Sequence, residues 1–343
     1  MRWIIIIFLP LFAVAETCSP VNYLTSKNSP FEKIPVGDQD GTGICYAFST
    51  SQLLDYYLLK SGQTSERTMH PAWVALKGSR RILYSGFEGE TINAVRAAGT
   101  CAYDRVEETI NAFAAGSNLA GIPLVNFIES YAISSSRYTG APEYKSEDTF
   151  WAAVSATAPF CDENVLWESL QPKLQELTGT SVQIFNRLLS QGCDSPNIHR
   201  YKIPAPKSEV IVDDGRAVTL QNSLVARGPY TISYCGTTWT AGPEYAGIGR
   251  PSNNMLEDCG PHSSLVVGRK KIQGICHSLV RNSWGNGWGD WNSNSYCICR
   301  HKLTGAWVDE CNVYDHSPED YSVEACYIDQ RQLARNLQGV TSL

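Results

Sequence analysis

Asp38-Gln39-Asp40-Gly41-Thr42-Gly43-Ile44-Cys45-Tyr46-Ala47-Phe48-Ser49 is the stretch on which the reading of the fold turns. Its first half is rich in Gly and Asp and predicts a loop. From Cys45 to Lys60 the sequence CYAFSTSQLLDYYLLK sets apolar residues at 47, 48, 54 and 58, the spacing of a helix stripe, and Gly62 is a plausible stop. Cys45 therefore falls in the first turn of a long, largely buried helix. A thiol attacks carbonyl carbon well only as thiolate, and a helix N-terminus and a neighbouring imidazolium both favour that form. Gln39, six residues earlier across a Gly-containing turn, is placed to offer its side-chain amide to the oxygen that turns negative as a thiolate adds. The backbone N–H of Cys45 would be the second donor. Alone, neither residue is informative: most cysteines in a Cys-rich chain are bonded or buried, and a lone glutamine is an ordinary surface residue.

Two strings far downstream supply what such a thiol needs. In Pro261-His262-Ser263-Ser264-Leu265-Val266-Val267-Gly268, a histidine stands directly before an apolar β-prone run, which holds its ring at a strand start facing a cleft. Histidines also stand at 70, 199, 277, 301 and 316, and His277, before Ser278-Leu279-Val280, is the serious competitor. The second string is Arg281-Asn282-Ser283-Trp284-Gly285-Asn286-Gly287-Trp288-Gly289. An amide oxygen at Asn282 can accept from one imidazole nitrogen, fixing the tautomer while the other nitrogen faces the thiol. Unlike a carboxylate, it leaves a Cys–His ion pair undisturbed in charge. Trp284 beside it can shield that hydrogen bond from water.

In order and detail these strings resemble the papain and cathepsin family of cysteine peptidases. DQDGTGICYAFS is similar to its active-site segment, and HSSLVVG followed by RNSWGNGWG to its His and Asn strands. Ser85-Gly86-Phe87-Glu88-Gly89 and Gly228-Pro229-Tyr230-Thr231-Ile232 resemble two further family segments, so the likeness spans roughly residues 31–101 and 218–300. It implies an α+β, papain-like two-lobed fold: a helical left lobe, a β-barrel-like right lobe and the active-site cleft between them. It also implies roles for Cys45 as nucleophile, His262 as general base and acid, Asn282 as the group orienting that base, and Gln39 at the oxyanion. Gly89 would lie beside the substrate backbone and Trp288, with Trp284, would line the cleft. His277 falls between the matched segments, where the family places no catalytic group. Thr42 and Gly86 stand where the family usually has a bridged cysteine pair, Ile44 replaces a small residue, and Glu88 replaces a glycine near the substrate path.

The rest of the chain bounds that reading. Met1-Arg2, an apolar run from 3 to 14 and Ala13-Val14-Ala15 read as a secretory signal peptide over residues 1–15. The run is short of the ~20 residues a spanning helix needs. One domain, residues 16–343, remains, and 43% hydrophobic residues can fill its core. Twelve cysteines in an exported chain point to an oxidising compartment, whether extracellular, periplasmic or lysosome-like. With Cys45 set aside, eleven allow at most five bridges, of open connectivity. Cys297-x-Cys299 has no second pair at zinc-finger spacing, so neither metal nor cofactor is expected. A net charge of −6 without a basic block argues against nucleic acid or anionic membrane as partner. Protein or peptide substrates are the expected partners, and oligomeric state is not readable.

From Cys45 to His262 is 217 positions, against roughly 130–150 in the family. The surplus predicts a helical insertion at about 104–205, a surface subdomain or a cap over the cleft; Val165 to Leu189 is its clearest helix, with Leu166, Leu170, Leu174 and Leu177 on one face. Strands are predicted at 210–212, 230–234, 264–267 and 278–281, with the tail, 300–343, wrapping the surface. Only residues 16–44 precede the thiol once the signal is removed, so no folded propeptide is expected. The resulting expectation is hydrolysis of peptide bonds through a thioester, leaning towards an endopeptidase. The alternatives are a catalytically silent protein that binds a peptide or partner in its cleft, and acyl transfer to an amine.

Overall fold

The computed structural model describes residues 18–39, 43–79, 83, 86–115, 124–125, 127–129, 132, 173, 179–236, 260–285, 296–311, 316–317 and 319–343. The helix expected at the thiol is present as α1 (Cys45–Lys60), and the chain leaves it through Ser61 and then Gly62 at φ 68°, a left-handed turn that suits glycine. Nearly all of α1 is buried, including Ser49, Thr50, Ser51, Gln52 and Asp55. It is wrapped because α2 (Pro71–Gly78) and α3 (Glu88–Ala98) pack on one side and the sheet on the other.

The sheet has nine antiparallel strands. They are β1 (Val21–Asn22), β4 (Lys207–Val210), β5 (Tyr230–Cys235), β6 (Pro261–Ile272), β7 (Ile275–Arg281), β8 (Cys297–His301), β9 (Trp307–Cys311), β10 (Tyr321–Asp329) and β11 (Leu337–Ser342). Their order is β4-β11-β5-β6-β7-β10-β8-β9, with β1 pairing against β6 beside that path. Among the described strands β4 and β9 each have one neighbour, so the barrel-like lobe takes the form of an open sheet with no closed barrel. Strand β6 shows how the two lobes share it. Leu265 and Val267 face the helical core around α1, while Val266 faces a second core, as the period of two requires. That second core is closed by α6 (Asp214–Val225) and α7 (Gln330–Asn336) through Ala217, Leu224, Val225, Leu333 and Ala334.

Two expectations are corrected. The tail does not wrap the surface: β10 lies between β7 and β8, and β11 between β4 and β5, so residues 321–342 supply two interior strands. Val323, Ala325, Cys326, Tyr327 and Ile328 are buried in succession, which leaves no clean alternation to betray a strand. The strand expected at 210–212 lies at 207–210 instead, because register is set by pairing with β11 rather than by β propensity.

The segment expected as an insertion, about 104–205, is tied at its two ends. The short strands β2 (Thr100–Cys101) and β3 (Ile198–His199) pair, and Cys101 is bonded to Cys193. Beyond them stand α4 (Tyr103–Phe113) and α5 (Ser181–Ser190), the latter opened by a capping box between Thr180 and Gln183. The four leucines at 166, 170, 174 and 177 and the signal segment 1–15 lie outside the described residues. Further bridges join Cys18–Cys276, Cys297–Cys326 and Cys299–Cys311, and Cys235 is also bonded. Both cysteines of the Cys297-x-Cys299 pair are thus held in disulfides. No helix among the described residues is long and apolar enough to cross a membrane.

Candidate active site

Among the described cysteines Cys45 alone is a free thiol, and it keeps part of its surface exposed. It opens α1 behind Ile44, which makes no side-chain cap on the amides of the first turn. Burial pushes the thiol up to about 11; hydrogen bonds from the backbone at Ser263, Tyr46 and Cys45 itself favour the thiolate, and the Glu88 carboxylate opposes it. The Ser263 contact places the sulfur beside the residue that follows His262.

His262 is the second residue of β6, opposite Tyr234 on β5. Its Nε2 lies 2.5 Å from Asn282 Oδ1. The same oxygen accepts from the Ser283 backbone N–H at 2.9 Å and from Ser264 Oγ at 3.1 Å. A backbone N–H can only donate, so the atom is the amide carbonyl oxygen. The Nε2 of His262 therefore carries the proton, and Nδ1 holds the lone pair of the neutral ring. Trp284 lies against the imidazole at 4.8 Å between ring centroids, and Tyr234 meets it edge-on at 5.6 Å. Burial pulls the imidazole down to about 4, against the Asn282 hydrogen bond, which raises it. Taken singly, the resting groups are a thiol and a neutral imidazole.

Gln39 is held by the same strip of chain. Its N–H donates to Ser283 O at 2.8 Å, Asp38 bridges to Trp284, and Gly285 N donates to Gly37 O at 3.2 Å. Gly285 has φ 63°, and a Cβ there would run into the Asp38 carboxylate, so this junction needs glycine. Ser283 Oγ donates to Gln39 Oε1 at 2.6 Å, which leaves Nε2 as the donor end of that amide. One tripeptide, Asn282-Ser283-Trp284, thus orients the imidazole, the amide of Gln39 and an aromatic cover.

Other residues singled out by the sequence fall elsewhere. A Cβ on Gly89 would meet Ser208 Oγ of β4, so this glycine sits against the sheet edge in the first turn of α3. Trp288 and Thr42 lie outside the described residues. Gly86 faces the ring of Tyr46, whose hydroxyl donates to Leu83 O at 2.8 Å. On β7, His277 stands opposite Lys270 of β6 and Asp329 of β10 and its Nδ1 bonds Ile275 O, away from Asn282. Four residues were not picked out as parts of the site: Ser263, Ser264, Ser283 and, read only as a departure, Glu88. Serine carries no sequence signal of its own. The acid in place of glycine at 88 was the one visible hint.

The comparisons with known proteins come to a narrow result. No family model and no curated protein matches the chain. Solved structures do. The matching structures are papain-like cysteine proteases and their proforms. Digestive procathepsin L 3 of Tenebrio molitor larval midgut is 12% identical, covering 98% of this chain and 73% of that one, with a TM-score of 0.38. The ragweed pollen allergen Amb a 11, a cysteine protease in its proform, is 13% identical, covering 96% and 66%, at 0.42. Bromelain from Ananas comosus, in complex with the E64 inhibitor, is 10% identical, covering 94% and 96%, at 0.40. Likenesses this distant say nothing of activity, and what the site does is read from its own residues.

Proposed function

We propose that this chain is a cysteine peptidase that hydrolyses peptide bonds through a thioester on Cys45. The observation that carries the reading is the 2.5 Å contact of His262 Nε2 with Asn282 Oδ1, which leaves Nδ1 as the ring nitrogen for a free thiol at a helix start. With the thiol near 11 and the imidazole near 4, an ion pair is costly before substrate binds, so proton transfer accompanies attack. Sulfur adds to the carbonyl carbon as its proton passes to Nδ1. The resulting imidazolium stays hydrogen-bonded to a neutral amide oxygen. The carbonyl oxygen, now negative, meets Gln39 Nε2 and the Cys45 N–H, donors arranged before the charge develops. The imidazolium protonates the leaving amine, the C–N bond breaks and the thioester remains. Water, giving its proton to His262, then attacks; the thiolate departs and the acid is released.

Within this reading the enzyme is an endopeptidase acting after export, since its bonded cysteines suit an oxidising compartment. Cys45→Ser and Cys45→Ala are the test, together with a thiol-reactive epoxide. Hydrolysis of a denatured protein at internal bonds, lost by roughly 10³-fold or more in either variant and blocked by labelling at Cys45, supports it. Full activity in Cys45→Ser, or turnover that survives labelling, overturns it. Added amine that captures the acyl group in preference to water would move the reaction from hydrolysis to acyl transfer.

A further inference from the structure

Glu88 opens α3 and is 4% exposed. Its oxygens accept from Ser233 Oγ at 2.9 and 3.0 Å and from Ser263 Oγ at 2.5 Å, and among the described residues no Lys, Arg or His pairs with it. Among the other buried acids, Glu324 pairs with Arg281 at 2.8 Å, Asp55 takes two backbone N–H groups and a hydroxyl, and Glu129 takes the Leu83 N–H at 3.2 Å and the Ser181 hydroxyl. Hydroxyls fill the lone pairs of a carboxylate but bring no opposite charge, and an unbalanced buried charge is expensive.

Its position says where the balancing charge would come from. Ser263 touches Glu88 through its side chain and the Cys45 sulfur through its backbone, and it follows His262 in the chain. Ser233 and Cys45 both keep part of their surface open, and the covered carboxylate is linked to the sulfur through Ser263 and acts on its charge. Ser49 on α1 joins Ser263 at 2.6 Å, which fixes that hydroxyl in place. The geometry points to Glu88 as the residue that reads charge on the substrate: the cleft takes an ammonium or guanidinium group of the substrate against this carboxylate, within a residue or two of the scissile bond. The inference rests on Cys45 being the nucleophile. The cation comes either from the acyl side of the bond or from the leaving side, and the serines keep their donor roles when it binds.

Two measurements on the full secreted chain and its Glu88→Gln variant test this. The first compares peptides that differ only by lysine or norleucine at each of three positions on either side of the cleaved bond. At one position lysine should be favoured by roughly tenfold or more in kcat/KM, and the ratio should fall towards one in Glu88→Gln; the position shows which side carries the cation. A merely structural tie between α3 and the sheet would lower both substrates alike. The second needs no turnover. Aminoethyl, methyl and sulfonatoethyl methanethiosulfonates, cationic, neutral and anionic, are reacted with Cys45, each rate being divided by that for free cysteine. The cationic reagent should lead the neutral one and the anionic reagent trail it, and Glu88→Gln should level the three. Peptide cleavage with no charge preference overturns this inference and leaves the peptidase reading intact. A Glu88-dependent reagent series without any cleavage overturns the peptidase reading and with it the substrate assignment, leaving only the action of Glu88 on charge at Cys45. Should Glu88→Gln fail to fold, equal normalised rates for the three reagents on the wild-type thiol still overturn the proposal.

Discussion

At the scale of single residues, the decisive contact is the one between His262 and Asn282, and it makes two opposite predictions. Asn282→Ala removes the acceptor that fixes the imidazole, and kcat should fall about 10- to 100-fold, the cost of one buried hydrogen bond. Asn282→Asp puts a negative charge beside a ring that burial holds near 4. A carboxylate favours the imidazolium, so the ring keeps its proton to higher pH and the acid limb of kcat/KM should move upward. A pH–rate profile of the two proteins checks this, and an unmoved limb would mean that His262 is not the base. Gln39→Ala should cost roughly 10²- to 10³-fold in kcat. Ser283→Ala should cost less, because it only loosens the amide that Ser283 Oγ now holds at 2.6 Å.

At the scale of elements, α1 carries both the thiol and a buried acid. Asp55 Oδ1 accepts from Thr68 N, Thr68 Oγ1 and Met69 N, yet burial still raises its carboxyl to about 7. Its ordinary value is 3.8, so between about 4 and 7 the folded chain binds more protons than the unfolded one. Stability from this group is therefore greatest below that window and declines as pH rises through it. Asp55→Asn keeps an acceptor oxygen and removes the titration. Its Tm should exceed that of the wild type at pH 8 and the gap should close towards pH 4, as calorimetry at the two pH values would show. The boundaries of α1 were legible because a helix writes its face into its own sequence. The interior strands β10 and β11 were not: the run from Val323 to Ile328 in β10 is buried without alternation, and the partners of β11 lie far away in the chain.

At the scale of the molecule, the two cores share β6, and the bridges tie regions that local structure leaves apart. Cys101–Cys193 spans a sequence separation of 92 and Cys18–Cys276 one of 258. Replacing Cys101 and Cys193 together by alanine should cost about 2–5 kcal/mol, read as a lower Tm. Cleavage by an added protease should then concentrate within residues 102–192, with Cys45 labelling kept. Loss of labelling along with the bridge would mean that residues 102–192 and the site fold as one unit.

What the sequence determined by itself was the local chemistry: a thiol one helix start away from a loop amide, a histidine at a strand start, and the string Asn282-Ser283-Trp284 after it. These follow from residue type and short-range spacing, which need no folding to be read. Only the tertiary structure decided that the tail returns as two interior strands, that Ser283 turns the Gln39 amide, and that the Glu88 carboxylate is gathered among hydroxyls with Ser263, whose backbone meets the sulfur. Those arrangements depend on which distant strands pair and in what register, a choice made by packing and chain closure over separations that no local pattern encodes.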